Sequence, residues 1–294
     1  MIQVQLPILQ TKDELDSWLR QQKNQINFVP TMGALHLGHA ELIKTAKKIG
    51  AHQSSVVLIS IFVNPLQFGA NEDFEDYPKN LMNDCQLAKK YGADAIWAPN
   101  YEDIFPYGEK AYFKIKAPST LQNYLCGATR KGHFDGVSTI IARLLGLIKP
   151  NTLLLGEKDW QQYIILRQLV NDLGLPVEIQ GIATVRDSNG LALSSRNQYL
   201  SKNEHTQALA LPRALRKACK DFKKHQGINL KEIKSSLEKN DLKVEYIEIL
   251  DKDLLTPVQG TKSISLLAAA VTCGNTRLID HTFLMTRSPI VAID

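Results

Sequence analysis

A chain of 294 residues, 44% hydrophobic and 22% charged, is long enough to bury a core as one large domain or two modest ones. Its net charge of +5 suits anionic small molecules, whereas a nucleic-acid partner would call for a denser basic stripe than the Lys-rich stretch 213–224 supplies. No run approaches ~18 apolar residues, so no membrane partner is expected. The first ten residues lack the pattern of a signal peptide. Cys85, Cys126, Cys219 and Cys273 never form C-x-x-C, which argues against a zinc site or a disulfide framework. Reduced thiols in a cytoplasmic protein are the expectation.

A helix is predicted over 12–22, with Leu15, Trp18 and Leu19 on its apolar face. The apolar run 26–29 reads as a strand bounded by Pro30. Next come Thr31, Met32, Gly33, Ala34, Leu35, His36, Leu37, Gly38 and His39, and then a helix with Leu42, Ile43, Ala46 and Ile49 inward and Gly50 as its C-cap. His36 and His39 fall where loop becomes helix. Free backbone N–H groups and the positive end of a helix dipole favour an anion there. Gly33 and Gly38 allow close approach, and two imidazoles three residues apart can face one ligand. A lone histidine in such a place is most often a cap; the H-x-G-H pair between a strand and an amphipathic helix is a stronger signal. A P-loop is excluded, because His39 and Ala40 stand where Lys and Ser or Thr are required, and no G-x-G-x-x-G follows a strand.

Strands are predicted over 55–63, 94–97, 152–155 and 177–185, and helices over 79–91, 136–148 and 159–173, the last with Ile164, Ile165 and Leu169 inward. This alternation indicates an α/β fold with a doubly wound parallel sheet. Ligands of such sheets lie beyond the carboxyl ends of the strands. There stand the loop 32–39, the amides Asn64 and Gln67, and Gly156, Glu157, Lys158 and Asp159, with Asp159 in cap position for the next helix. Asn64-Pro65 is also an ordinary turn signal, and a surface turn accounts for Gly-Glu-Lys-Asp equally well.

Past Val185 the pattern changes. Residues 186–190 form a turn cluster read as the hinge between a first domain, 1–186, and a smaller α+β C-terminal domain, 187–294. In the second domain helices are predicted over 204–222 and 230–239, and strands of an antiparallel sheet over 244–250, 263–272 and 276–280. Leu193, Ser194, Ser195 and Arg196 offer hydroxyls and a guanidinium suited to clamping phosphate, although Ser-Ser-Arg is common in loops. Two histidines, a lysine and an arginine around one nucleotide would stabilise phosphoryl transfer without a covalent nucleophile.

The motifs at 29–39, 60–68, 132–139, 156–162 and 190–197, with Arg277-Leu278-Ile279-Asp280 near the end, run in an order that resembles the pantothenate synthetases. These belong to the wider H-x-G-H nucleotidyltransferase group with a Rossmann-like fold. The resemblance implies ATP-dependent condensation of (R)-pantoate with β-alanine through pantoyl adenylate, releasing pyrophosphate and AMP. It implies that residues 32–39 contact ATP, with His39 the proton donor and His36 its partner on the phosphates. Gly156, Glu157, Lys158, Asp159, Leu193, Ser194, Ser195 and Arg196 would bind ATP, Lys158 and Arg196 would stabilise phosphate charge, and Val185 would meet adenine through its backbone. Gln67 and Gln162 would hold pantoate, with Gln67 and Asn64 also near the β-alanine position and Arg130 in the matching stretch beside the substrates. Mg²⁺ is expected with the nucleotide. Some relatives carry adjacent acids where this chain has Met82-Asn83-Asp84, so Asp84 as a metal ligand competes with Asp84 as a helix-surface residue. A homodimer is implied. The rival readings are another H-x-G-H adenylyltransferase and a non-catalytic nucleotide-binding protein on the same fold.

Overall fold

Continuous apolar runs along four short strands decide the architecture of the first part of the chain. In the computed structural model, which describes residues 6–51, 54–70, 72–108, 111–225, 227–258, 264–285 and 291–292, the strands β1 (Ile8–Leu9), β2 (Gln25–Thr31), β3 (Ser55–Ile61), β4 (Ala95–Trp97), β5 (Thr152–Gly156) and β6 (Glu178–Ile182) form one sheet. Its order is β1-β4-β3-β2-β5-β6, and every pair is parallel. Phe28, Leu58, Ala95, Trp97, Leu153 and Leu155 enter one apolar cluster, while Val29, Val57, Ile59, Ile96 and Leu154 enter another. Successive residues of a strand point to opposite faces, so both faces of this sheet are covered. Full burial of residues such as Phe28 and Leu153 contributes roughly 1.5–3 kcal/mol each.

Helices α1 (Lys12–Gln21), α6 (His133–Ile148) and α7 (Trp160–Asp172) supply Leu15, Val137, Ile140, Leu144, Leu166 and Leu169 to the first cluster. Helices α2 (Leu37–Ala51) and α3 (Leu81–Tyr91) supply Leu42, Ile43, Ala46 and Ala88 to the second. Short helices α4 (Tyr101–Ile104) and α5 (Leu125–Thr129) lie between α3 and α6. Gly50 is not the stop expected of it, because α2 runs on to Ala51; a side chain at Gly50 would collide with Ser55. Strand β3 ends at Ile61 and β6 at Ile182, both shorter than their apolar runs.

The remaining elements are α8 (Lys202–Ala208), α9 (Ala210–His225), β7 (Gly227–Ile228), α10 (Leu230–Glu238), β8 (Lys243–Asp251), β9 (Ile264–Cys273), β10 (Thr276–Met285) and β11 (Val291–Ala292). Strands β8, β9 and β10 form the antiparallel sheet, and β7 pairs with β11 in parallel. Ser263, included in the predicted strand, lies outside the described residues. The single helix expected over 204–222 is broken at Leu209, where α8 gives way to α9. Pro212 explains the break, since it has no N–H to donate to the carbonyl of Ala208. Leu211, Leu215 and Phe222 of α9, Ile233 and Leu237 of α10 and Leu267, Ala269 and Val271 of β9 pack together as a second core.

Two compact units result. The first is Met1–Ala117, Lys131–Glu157 and Gln162–Ala183; the second is Pro118–Arg130, Lys158–Gln161 and Thr184–Asp294. Besides the chain past Ala183, the second unit thus takes in two short segments from within the Rossmann-like part.

In the first unit the start of α6 lies against a single 3-10 turn, Pro65–Gln67, which follows β3. A Cβ on Gly136 would fall 2.0 Å from the carbonyl oxygen of Leu66, whereas one on Gly146 of the same helix would meet nothing within 4 Å. One substitution should therefore have opposite signs at two places in α6. Gly146→Ala is expected to stabilise the protein by roughly 0.5–1 kcal/mol, and Gly136→Ala to destabilise it by about 1–3 kcal/mol, both read from urea unfolding.

Candidate functional site

In the first unit, strand order reverses between β2 and β5, which lie side by side with Asn27 opposite Thr152 and Phe28 opposite Leu153. The carboxyl ends of strands at such a reversal are where α/β sheets bind ligands. The loop from β2 to α2 leaves from one of these ends. Thr31 ties its start, donating from Oγ1 to the carbonyl of Ser60 at 2.8 Å and accepting the N–H of Gly33 at 3.2 Å. Gly33 (φ +84°) and Ala34 (φ +49°) are both left-handed, which turns the backbone sharply. The N–H groups of Ala34 and Leu35 then donate to Asp84 Oδ2 and Oδ1 at 3.0 and 2.7 Å.

Asp84 is accordingly not a helix-surface residue. It is 2% exposed, and burial raises its carboxyl above the usual range, offset in part by the bonds from Leu35 and Ala34. Among the described residues no group of three or more His, Cys, Asp or Glu is placed to hold a metal ion.

His36 closes the loop and Leu37, which is exposed, begins α2. The N–H of His36 donates to Nδ1 of His39 at 3.2 Å, and the N–H of Gly38 to Nδ1 of His36 at 3.0 Å. The two rings lie 4.1 Å apart between centroids. These contacts correct the expectation of free N–H groups, because those of Ala34, Leu35, His36 and Gly38 already donate to side chains of the protein. They also fix a tautomer: a ring nitrogen that accepts a hydrogen bond carries no proton, so each neutral imidazole bears its hydrogen on Nε2.

The amides expected at the end of β3 are ordered by the same packing. Asn64 is buried; its Oδ1 accepts the N–H of Leu66, and its Nδ2 lies 3.2 Å from both Gln67 Oε1 and the carbonyl of Gly136. Gln67 Nε2 reaches Met32 Sδ at 2.8 Å, and the Gln67 carbonyl lies 2.7 Å from His133 Nδ1. The structure thus brings Met32, Asn64 and Gln67 together beside the loop that carries His36 and His39. His133 and Gly136, which hold this turn in place, were given no role from sequence; the signal available was the H-F-D-G run at a helix start.

Gly156 ends β5, and a 3-10 turn, Glu157–Asp159, leads straight into α7. Gln162 is half-buried in α7 and belongs to the first unit. Its neighbour Gln161, in the second unit, is buried; it donates to the carbonyls of Leu121 and Tyr124 and accepts the N–H of Gly127. One amide of the pair is thereby structural, which sequence spacing alone does not tell.

The second unit holds Lys158, Asp159, Val185, residues 193–196 and Arg130. Lys158 Nζ lies 3.3 Å from Asp159 Oδ1. Val185 accepts the N–H of Leu193 at 2.9 Å through its carbonyl, and Arg186 bridges Ala192 antiparallel, so the expected end of a sheet strand is the foot of a hairpin. Ser194 caps the 3-10 turn Ser195–Tyr199, its Oγ accepting the N–H of Arg196 at 3.3 Å. Arg196 is half-buried on that turn. Arg130 ends α5 with its N–H on the carbonyl of Cys126. Nearby, Arg277 holds Glu245 through two hydrogen bonds. Burial opposes ionisation of Glu245, but the bonds from Arg277 and Thr129 outweigh it and hold the carboxyl low.

A family model described as pantoate-beta-alanine ligase matches residues 7–283. The chain belongs to the pantoate-beta-alanine ligase family. It is 58% identical over 292 residues to a bifunctional pantoate ligase/cytidylate kinase of Prochlorococcus marinus, covering 98% of this chain and 56% of that protein. It is 54% identical over 288 residues to the protein of the same description from Parasynechococcus marenigrum, covering 98% and 55%. The chain therefore spans about half the length of these curated relatives. Among solved structures it is similar to a pantothenate synthetase from Thermus thermophilus, with TM-score 0.86, 35% identity, and 96% and 100% of the two chains covered. It is also similar to a pantoate-beta-alanine ligase from Francisella tularensis complexed with beta-gamma ATP and beta-alanine, with TM-score 0.80, 35% identity, and 94% and 97% covered. The parallel sheet and the small antiparallel sheet agree with that fold.

His281 of β10 lies against Trp160 and Phe283, with ring centroids 6.0 and 5.3 Å away. Burial pushes its imidazole below the ordinary value of 6.5; Asp280 and Asp159 pull it up, and Arg186 and Lys158 down. A histidine that binds its proton less tightly folded than unfolded favours folding above pH 6.5, and that contribution is lost as pH falls toward the folded value. Stability should thus drop as pH falls below about 6.5, and drop less in His281→Gln, as compared by urea midpoints.

Proposed function

We propose that this protein condenses (R)-pantoate with β-alanine at the expense of ATP. The observation that carries the reading is the contact of Gln67 Nε2 with Met32 Sδ at 2.8 Å. It sets an amide suited to a small hydroxy acid directly against the loop of His36 and His39. An adenylyltransferase that stops at a nucleotide product has no need of that neighbour. Family membership over residues 7–283 and the relative described as complexed with beta-gamma ATP and beta-alanine support the same substrates.

In the first step the pantoate carboxylate attacks the α-phosphorus of ATP, and the bond to the β-phosphate breaks to release pyrophosphate. In the second the amine of β-alanine attacks the acyl carbon, loses a proton and displaces AMP. His39, with its hydrogen on Nε2, donates a hydrogen bond to the phosphates, and His36 is its partner there. Residues 32–39 bind ATP together with Gly156, Glu157, Lys158, Asp159, Val185, Leu193, Ser194, Ser195 and Arg196. Lys158 and Arg196 supply the positive charge that pyrophosphate formation requires. Gln67 and Gln162 hold pantoate, Asn64 lies on the β-alanine side, and Arg130 faces the substrate carboxylates. Mg²⁺ would accompany the triphosphate, which would bring phosphate oxygens and water as ligands. A cytoplasmic homodimer, with an ATP- and pantoate-binding domain over 1–186 and a cap over 187–294, completes the reading.

Leaving out each of ATP, pantoate and β-alanine in turn tests the reaction. Sustained AMP release should need all three, and release without β-alanine would contradict the ligase. His39→Ala should slow adenylate formation by roughly 10²–10³-fold, as for loss of one preorganised transition-state donor, while ATP affinity changes less. A rate within about threefold of the parent would remove His39 from this role.

A further inference from the structure

Arg186 and Asp280 are joined in a way the proposed reaction does not yet use. Arg186 Nη1 and Nη2 donate to Asp280 Oδ2 and Oδ1 at 2.6 and 2.8 Å, and Nη1 also donates to the carbonyl of Gly190 at 3.1 Å. Asp280 is 3% exposed, and its Oδ1 accepts the N–H of His281 at 2.8 Å as well. A two-pronged guanidinium–carboxylate pair with one side out of water fixes geometry more tightly than a single contact. Removing either partner strands a charge in the interior.

What the pair fixes is a hairpin. Its arms meet where Arg186 bridges Ala192 and where Leu193 donates to the carbonyl of Val185. Its tip is organised by Asp187, whose Oδ1 accepts the N–H groups of Asn189 and Leu191 and whose Oδ2 lies 3.1 Å from His205 Nε2. Val185 stands at one foot, and Leu193, Ser194, Ser195 and Arg196 leave from the other. The same stretch of β10 also meets the segment that carries Lys158. His281 and Phe283 lie against Trp160, whose Nε1 donates to the carbonyl of Lys252 at 2.7 Å. Residues 280–283 are therefore a common footing for the segment that carries Lys158 and the one that leads to Arg196.

We infer that Asp280, through its paired bonds to Arg186, is a positioning residue for nucleotide binding: it sets the hairpin whose feet carry the backbone of Val185 and the side chain of Arg196. This rests on the assignment of Val185 and residues 193–196 to ATP. Asp280→Asn keeps the shape but gives up one acceptor and the charge, so the hairpin loses its set while the pantoate side in the first unit is untouched.

The test is steady-state kinetics on the full chain with each substrate varied in turn, beside thermal unfolding with and without ATP. Asp280→Asn should raise KM for ATP about tenfold or more, leave KM for pantoate and β-alanine within about twofold, and lose most of the rise in Tm that ATP gives the parent. Arg186→Gln should do the same, and the double variant should be no worse than either single one, as for two residues acting as a unit. An unchanged KM for ATP in folded Asp280→Asn overturns the inference, as does an equal rise in all three KM values. Should Asp280→Asn fail to fold, Arg186→Lys, which keeps the charge but not the fork, is read by the same thresholds. A parent with no ATP-dependent condensation sinks the proposed reaction instead, a result distinct from an active parent with an indifferent variant.

Discussion

Asp84 reaches from α3 to hold the N–H groups of Ala34 and Leu35 on its two oxygens, and the loop between β2 and α2 takes its course from that contact. Two successive left-handed residues leave backbone donors converging on one point, a geometry that attracts anions. Here the anion is the protein's own buried carboxylate. With those donors taken, and with the N–H groups of His36 and Gly38 on imidazole Nδ1 atoms, four backbone N–H groups of the loop are held by the protein itself. The fold makes this possible because α2 and α3 share one face of the sheet.

The loop and the turn at Pro65–Gln67 lock to each other in the first unit, and each lock is local and short. Asn64 caps the turn, Gly136 gives it room, and Gln67 reaches Met32. The second unit solves its own problem with charge. Arg186 and Asp280 hold one segment, and aromatic contacts on the same strand hold the other.

Much of this was legible in the sequence, for physical reasons. Runs such as Val56-Val57-Leu58-Ile59 read as strands covered on both faces because they are. The H-x-G-H pair stands where strand, loop and helix patterns meet, so its place in the fold followed directly. The helix-surface reading of Asp84 fails because a single acid on an amphipathic helix gives no sign that a distant loop will fold onto it. The break at Leu209 was masked by apolar periodicity that continues through it, although Pro212 was there to be weighed. Gln161 and Gln162 are indistinguishable by spacing; only burial and three backbone partners separate the structural amide from the candidate one. The Arg186–Asp280 pair joins residues ninety-four apart, a separation that no local pattern encodes.

The loop's own hydrogen bonds place the proton of both imidazoles on Nε2, and the chemistry proposed for His39 depends on it. Long-range ¹H–¹⁵N correlation spectra of the histidine side chains, at a pH where both rings are neutral, read that directly. A pyridine-like Nδ1 and a protonated Nε2 are predicted for His36 and for His39. A protonated Nδ1 on either ring would contradict this, since that ring could not then accept the backbone N–H on which the loop's shape depends.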